Sequence, residues 1–345
     1  MAHPLWWWPE DTETVPIPAH SAPAWDPSAT LRVMTWNVQF FAGAGYVFFY
    51  DLPGWSGPDR RPSAVACARS LRQIAAVIDE EAPDVVLLQE LDDGAARTDF
   101  ADQLRQLQSE LRWPFPAVVS TFYWRARFVP HPKVMGSVGL KLAILSRFQL
   151  RSARRHQLPR MPGSPVHQAL NFHRAIVEAR VSTSASAACP KGEVAVLCTH
   201  LDAFAQGSDT MQRQVAKVGA VLGDLDRDGV PWVIGGDFNL LGSDSAYGRL
   251  MPHDVPMYQP RTELSQLTTR YRSFPAPADL DGPDEARVRT YIPNDPRADG
   301  PDRTIDYLFM SEGWAREAAT VRQDAIAQSA SDHLPVIATL ALASR

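Results

Sequence analysis

Polar residues of a few kinds recur at one sort of place in this chain, the last positions of short apolar runs. Asn37 comes at the end of "LRVMTWNV", Glu90 closes "PDVVLLQE", His200 closes "EVAVLCTH", and Asp237 and Asn239 close "PWVIGGDFN". Asp306 lies inside "RTIDYLFMS", and Asp332 and His333 stand side by side in "SDHLPV", just before the final apolar run. Singly, each has an ordinary reading. Asn37 could cap a turn, Asp237 and Asn239 could form an Asx-turn after Gly235-Gly236, Asp306 could be a hydrogen-bonded core acid, and Ser331-Asp332 are common turn residues. Together they form a chemical set, because functional groups gather where loops leave a rigid scaffold. Asp, Glu and Asn offer hard oxygen ligands, which suit magnesium or manganese rather than zinc, and no cysteine belongs to the set. The two histidines can change charge near neutral pH. Oxygen-ligated metal with histidine and aspartate is the equipment for metal-assisted attack of water on phosphorus.

The elements that must position these groups are mostly strands. Residues 31–38 carry a strand pattern, and 83–90, 139–147, 174–181, 193–201, 231–239, 303–311 and 334–342 are further apolar runs of strand length. Pro335 excludes a helix across the Asp332-His333 turn, since it lacks a backbone donor and restrains the residue before it. Apolar positions at helical spacing (Val65, Leu71, Ile74, Val77, Ile78) predict a helix over 63–81, and a second is predicted over 210–225. Many strands with few long helices predict an α+β fold of two packed sheets with helices outside. Residues 1–30 read as an irregular Pro/Trp-rich arm, 31–345 as one catalytic domain, and the Pro- and Asp-rich segment 251–302 as an elaborated loop.

Composition narrows the class. Of 345 residues 45% are hydrophobic and 21% charged, a globular balance. No apolar stretch approaches the roughly 18–20 residues that span a bilayer, and the start lacks the pattern of a secretory signal. Cys67, Cys189 and Cys198 are too scattered for a disulfide framework or a zinc site. A reduced, cytoplasmic protein is expected, monomeric by default. A net charge of −5 and a pI near 6.0 argue against a protein that grips nucleic acid through its phosphates. The one basic run, Arg147 to Arg160, reads as a solvated hairpin.

The motifs "MTWNV", "VVLLQE", "LAILSR", "THLDA", "IGGDFNL", "TIDYLFMS" and "SDHLPV" follow one another over residues 31–342. This order resembles the endonuclease/exonuclease/phosphatase superfamily, which includes deoxyribonuclease I, apurinic/apyrimidinic endonucleases, inositol polyphosphate 5-phosphatases and neutral sphingomyelinases. The resemblance implies a four-layer αββα sandwich with metal and substrate at one edge of both sheets. It implies magnesium, or manganese, on Asn37 and Glu90, with Asp332 as a further ligand. It makes Asp237 and Asn239 the groups that position the attacking water and the phosphate oxygens. His333 matches the histidine of the family's Asp-His pair, oriented by Asp306. His200 matches a second histidine found in deoxyribonuclease I and sphingomyelinases but not in apurinic endonucleases. Gln39 departs from the apurinic endonucleases, which carry Asp there, so a formal charge is lost and DNA repair is disfavoured. Tyr123 matches a family tyrosine that contacts phosphate, or is an ordinary core aromatic.

The implied reaction is in-line hydrolysis of a phosphodiester. Asp237 orients the water or accepts its proton, Asn239 holds Asp237, His333 donates to a non-bridging oxygen, and His200 is a candidate general acid for the leaving group. The substrate reading turns on the aromatic segment from Phe40 to Trp55, expected either as a hydrophobic rim or lid or as a loop buried over the core. A rim favours a lipid-like diester such as a sphingomyelin or glycerophospholipid headgroup ester. A nuclease acting on DNA or RNA is the alternative, and a phospho-ligand-binding pseudoenzyme a further one. An interaction scaffold using the aromatic arm leaves the polar set unexplained.

Overall fold

The computed structural model describes residues 7–203 and 205–343. The first six residues of the expected arm and the last two of the chain lie outside them. The described residues form strands β1 (Thr12–Thr14), β2 (Leu31–Asn37), β3 (Val85–Asp92), β4 (Ala117–Val129), β5 (Gly136–Ser146), β6 (Leu150–Gln157), β7 (Ala175–Ser182), β8 (Glu193–His200), β9 (Trp232–Asp237), β10 (Arg272–Phe274), β11 (Asp306–Met310), β12 (Trp314–Val321) and β13 (Val336–Leu342). One sheet has the order β1-β6-β7-β8-β9-β11-β10, the other β12-β13-β2-β3-β5-β4. The principal helices are α1 (Ala64–Glu81), α2 (Gln103–Glu110), α3 (Pro165–Leu170) and α4 (Thr210–Arg227).

Burial divides along the strands as a sandwich requires. Leu87, Val33, Val196 and Val233 fill the space between the sheets. Met34, Trp36, Val86 and Leu88 face the other way, onto Ile74 and Ile78 of α1 and Leu104 and Leu107 of α2. Leu197 and Ile234 face Val215, Val218 and Leu222 of α4. The fold is therefore the expected four-layer sandwich. Ser63 starts α1 as its N-cap, accepting the Ala66 N–H.

Among the described residues only two strand pairs are parallel, β2/β3 and β8/β9. Parallel neighbours need a crossover, and α1 and α4, each of 18 residues, supply it. Four strands thus end at one rim. β13 runs antiparallel to β2 and β11 antiparallel to β9, so both begin at that same rim. Pairing carries the ends of β2 and β3 and the start of β13 to one edge of their sheet, and the ends of β8 and β9 and the start of β11 to one edge of the other; the Asn37–Asp237 bond joins the two edges.

Close approach at that edge explains Gly235-Gly236. A Cβ at Gly235 would stand 2.7 Å from Leu308 and 2.8 Å from Leu87, and one at Gly236 would stand 2.0 Å from the Thr199 carbonyl oxygen. Gly236→Ala is expected to destabilise the protein by about 3 kcal/mol, the upper end for overpacking a core. The measurement is a urea midpoint, and an unchanged midpoint would show that β8 and β9 part without cost.

Two sequence expectations are corrected here. The run from Arg147 to Arg160 is not a solvated hairpin: much of it is β6, paired on both sides, with Arg155 fully buried. Its polar alternation reflects a strand with one face under the N-terminal segment. That segment, expected to be irregular, contributes β1 and places Trp25 in the inter-sheet core against Trp314, ring centroids 5.6 Å apart.

Candidate active site

The rim collects every residue singled out by chemistry. Asn37, His200 and Asp237 are the last residues of β2, β8 and β9, and His200 is in register with Asp237. Asp306 opens β11, directly opposite Asp237.

Glu90 needs a distortion to join them. In β3, Leu88 pairs with Ala143 but Leu91 pairs with Lys141, so Gln89 and Glu90 together oppose one residue. This bulge lets Leu88 and Leu91 both face the helices, while Gln89 turns between the sheets and bonds Thr35 and Cys198. Glu90 is the extra residue, at φ 61°, and its side chain is re-aimed toward the rim. Tyr123 is the extra residue of a similar bulge in β4, between Phe122 and Trp124.

Asp237 is the hub. Its Oδ2 accepts from Asn37 Nδ2 at 3.0 Å and lies 3.2 Å from His200 Nε2 and 3.6 Å from His333 Nε2. Its Oδ1 accepts the Asn239 N–H at 2.9 Å, while Asn239 Nδ2 donates to the Leu201 carbonyl at 3.1 Å. The Asx-turn reading of these two residues therefore coexists with their place at the site. Burial pushes the Asp237 carboxyl up to about 7, against the opposing pull of His333.

The two histidines sit in opposite fields. His333 Nδ1 is 2.9 Å from Asp306 Oδ2, which turns Nε2 toward Asp237. Burial disfavours its charged form, yet Asp306 and Asp237 outweigh burial and raise its pKa well above the ordinary value. His200 lies 3.9 Å from Glu90, with Nδ1 buried and unpartnered. Burial, Arg174 and His333 hold it well below its ordinary value. The two histidines are thus biased in opposite directions, His333 toward the imidazolium and His200 toward the neutral imidazole.

On the other side of Asp237, Asn37 Nδ2 also donates to Glu90 Oε1 at 3.1 Å, and Asn37 Oδ1 accepts the Gln39 N–H. One amide group thus stands between the oxygens of Glu90 and Asp237, where a hard cation would find two carboxylates. Asp237, Asp306 and His333 also place ligand-capable atoms within 4.8 Å of one another. There, however, Asp306 is committed to an imidazolium, which opposes a cation. Glu90 and Asn37 are the better fit. Asp332 comes close but is heavily bonded: Oδ2 accepts from Gln39 at 2.7 Å and Asn294 at 3.0 Å. Burial, and the repulsion of Glu90, push it up to about 7.

Of the two alternatives for the aromatic loop, a rim and a buried loop, the structure shows the buried one. Phe40, Phe41 and Phe48 are buried, Tyr46, Phe48 and Tyr50 stack at 5.6–5.7 Å, and Phe49 is 7% exposed. Of these rings only Trp55, 53% exposed on Phe49 and His131, projects strongly. The loop buries itself because each ring finds another. It brings Asp51 beside Asp332, and burial pushes Asp51 up to about 8. Sequence reasoning missed Asp51, Asn294, Tyr291 (ring 5.0 Å from His333) and Arg174; loop composition without periodicity gave no signal for the first three.

Comparisons place this fold among known proteins. An endonuclease/exonuclease/phosphatase from Beutenbergia cavernae is 23% identical, with TM-score 0.54 over 92% of this chain and 72% of that one. The human Nocturnin catalytic domain with bound sulfate is 17% identical, TM-score 0.52, over 94% of this chain and 98% of that one. A Bacteroides thetaiotaomicron mannosyl-6-phosphatase is 16% identical, TM-score 0.53, over 90% and 100%. At such identities these likenesses speak for the fold alone. Comparison with curated proteins gave no match. Residues 34–333 match the Endonuclease/Exonuclease/phosphatase family, and the chain therefore belongs to that family, whose enzymes hydrolyse phosphate esters and generally depend on a divalent metal.

Proposed function

We propose that this protein hydrolyses a phosphoester by in-line attack of water, with a divalent cation on Glu90 and Asn37. The observation that carries the reading is the convergence of both imidazole Nε2 atoms on Asp237 Oδ2, His200 at 3.2 Å and His333 at 3.6 Å. Asp237, once deprotonated, orients the water and takes its proton, with Asn239 fixing the carboxylate from the backbone side. His333, charged, donates to phosphate oxygen or leaving group. Burial, Arg174 and the nearby His333 disfavour a charged His200, which approaches Asp237 Oδ2 to 3.2 Å, so this reading gives the acid role to His333. A divalent cation held by Glu90 and Asn37 would supply Lewis-acid charge to the phosphoryl group. The all-oxygen donor set supports magnesium or manganese.

The lipid-like diester rested on a hydrophobic rim and keeps Trp55 alone as support. The groups near Glu90 and Asp332 are Tyr50, Asp51 and Asn294, which favour a compact polar ester. The three free cysteines support a reducing compartment such as the cytoplasm, and no helix among the described residues is long and apolar enough to cross a membrane. The test is kcat/KM with magnesium on a sugar phosphate, a 2′,3′-cyclic nucleotide, bis-p-nitrophenyl phosphate, a choline phospholipid in mixed micelles, and DNA. We expect the small esters to exceed the phospholipid by at least about tenfold, and Asp237→Asn to remove the activity. A preference for phospholipid reverses the substrate reading, and absence of metal-dependent turnover on every ester defeats the hydrolase reading.

A further inference from the structure

His200 is supported from behind by a chain of contacts that begins at the N-terminus. The Tyr123 ring lies 5.4 Å from the His200 ring. The bulge that aims Tyr123 is held at two successive carbonyls. His173 N–H donates to the Tyr123 carbonyl at 2.6 Å, and Arg155 Nε donates to the Phe122 carbonyl at 3.2 Å. Arg155 also ties the two together, donating from Nη2 to the His173 carbonyl at 2.8 Å.

Both holding residues are themselves held by the arm. Trp7 and Trp8 meet the His173 imidazole edge-on, ring centroids 5.3 and 5.6 Å away. Trp7 also meets Phe122 at 6.5 Å and the Arg155 guanidinium at 5.3 Å. Arg160 closes the cluster: Nε donates to His173 Nδ1 at 2.9 Å, Nη2 to the Pro9 carbonyl at 2.9 Å, and the guanidinium lies 4.4 Å over Trp8. His173 accepts from Arg160 because it is neutral; burial and the two guanidiniums bring it down to about 3. β1 anchors the arm immediately after these contacts, pairing with β6 opposite Arg154, Arg155 and His156.

We propose that the N-terminal arm is a positioning element of the active site, in which Trp7, acting through His173 and Arg155, sets the Tyr123 bulge and with it the His200 imidazole. The catalytic part of this inference rests on the hydrolase reading above. Trp7 touches no reacting group, so it acts through geometry. The arm supports the His200 side of Asp237.

The experiment is a cycle of Trp7→Ala and His200→Ala in the full-length protein. Turnover of bis-p-nitrophenyl phosphate with magnesium is one readout, and the His200 imidazole NMR resonances, read in the His200-containing members, are the other. We expect Trp7→Ala to lower kcat about tenfold with KM within about twofold, Trp7→Phe to restore most of the loss, and Trp7→Ala to change kcat less than about twofold once His200 is gone. The His200 resonances should shift in Trp7→Ala and return in Trp7→Phe. Equal losses with and without His200, or unmoved resonances with only a lower melting temperature, overturn the inference. A wild-type protein without turnover whose His200 resonances still respond to Trp7 defeats the hydrolase reading and leaves the coupling standing. If Trp7→Ala does not fold, Arg160→Gln, which removes the bonds to His173 and Pro9, is read in the same cycle.

Discussion

Glu90→Gln will give a folded protein whose magnesium-dependent kcat is lower by at least about a thousandfold, the scale of losing several kcal/mol of metal charge stabilisation. The substitution keeps shape and removes charge. Glu90 is the carboxylate at this corner whose Oε1 accepts, among the described residues, from the neutral Asn37 amide, and its side chain is 21% exposed. Its neighbours cannot replace it. Gln39 carries no charge, and Asp332 is bonded by Gln39 and Asn294 and partly protonated near neutral pH. Since Glu90 lies in a bulge rather than in the packed ladder, the melting temperature should stay close to wild type. The check is kcat against magnesium concentration beside a thermal melt. Near-normal activity at ordinary magnesium levels would move the metal elsewhere.

His333→Ala will lower kcat by at least about a hundredfold, the usual loss for an acid–base or oxyanion partner. His253→Ala, whose imidazole is tied to Asp295 at 3.1 Å, should change it little. The pH profile tests the same assignment. His333 must stay charged, so activity falls as pH rises past its elevated pKa, while Asp237 must lose its proton, so activity rises through about 7. A bound cation draws the second limb to lower pH. Asp306→Asn removes an anion that favours the imidazolium, so the alkaline limb moves to lower pH. Comparable losses at His253 and His333, or a stationary alkaline limb in Asp306→Asn, would leave His333 with a packing role only.

What the sequence made legible was governed by burial. β2, β3, β8 and β9 are apolar on both faces, so a polar residue at their ends stands out, and Asn37, Glu90, His200 and Asp237 could be picked by eye. The order of motifs then supplied the sandwich. What stayed hidden breaks the alternation that such reading depends on. The bulges at Glu90 and Tyr123 insert a residue without leaving a mark in composition. β12 escaped notice because its exposed edge carries Arg316 and Glu317 among alanines. Arg155 and His173 look like surface residues and are buried, because the segment that covers them lies far away in the chain. The aromatic loop could be read from its composition as a rim or as a buried loop, and ring-on-ring stacking decides for burial.

The three residues of β1 have a consequence for how copies of this protein meet. A sheet's outermost strand offers unpaired backbone groups to any other chain, and natural proteins blunt such edges. β6, eight residues long, would be that strand if the sheet ended there; β1 occupies Arg154, Arg155 and His156. At the opposite end the sheet closes on β10, also three residues long. Both margins of this sheet are thus three-residue strands, the short edge that offers a neighbour least to pair with, and the arm covers this part of β6 by the same contacts with which it grips it.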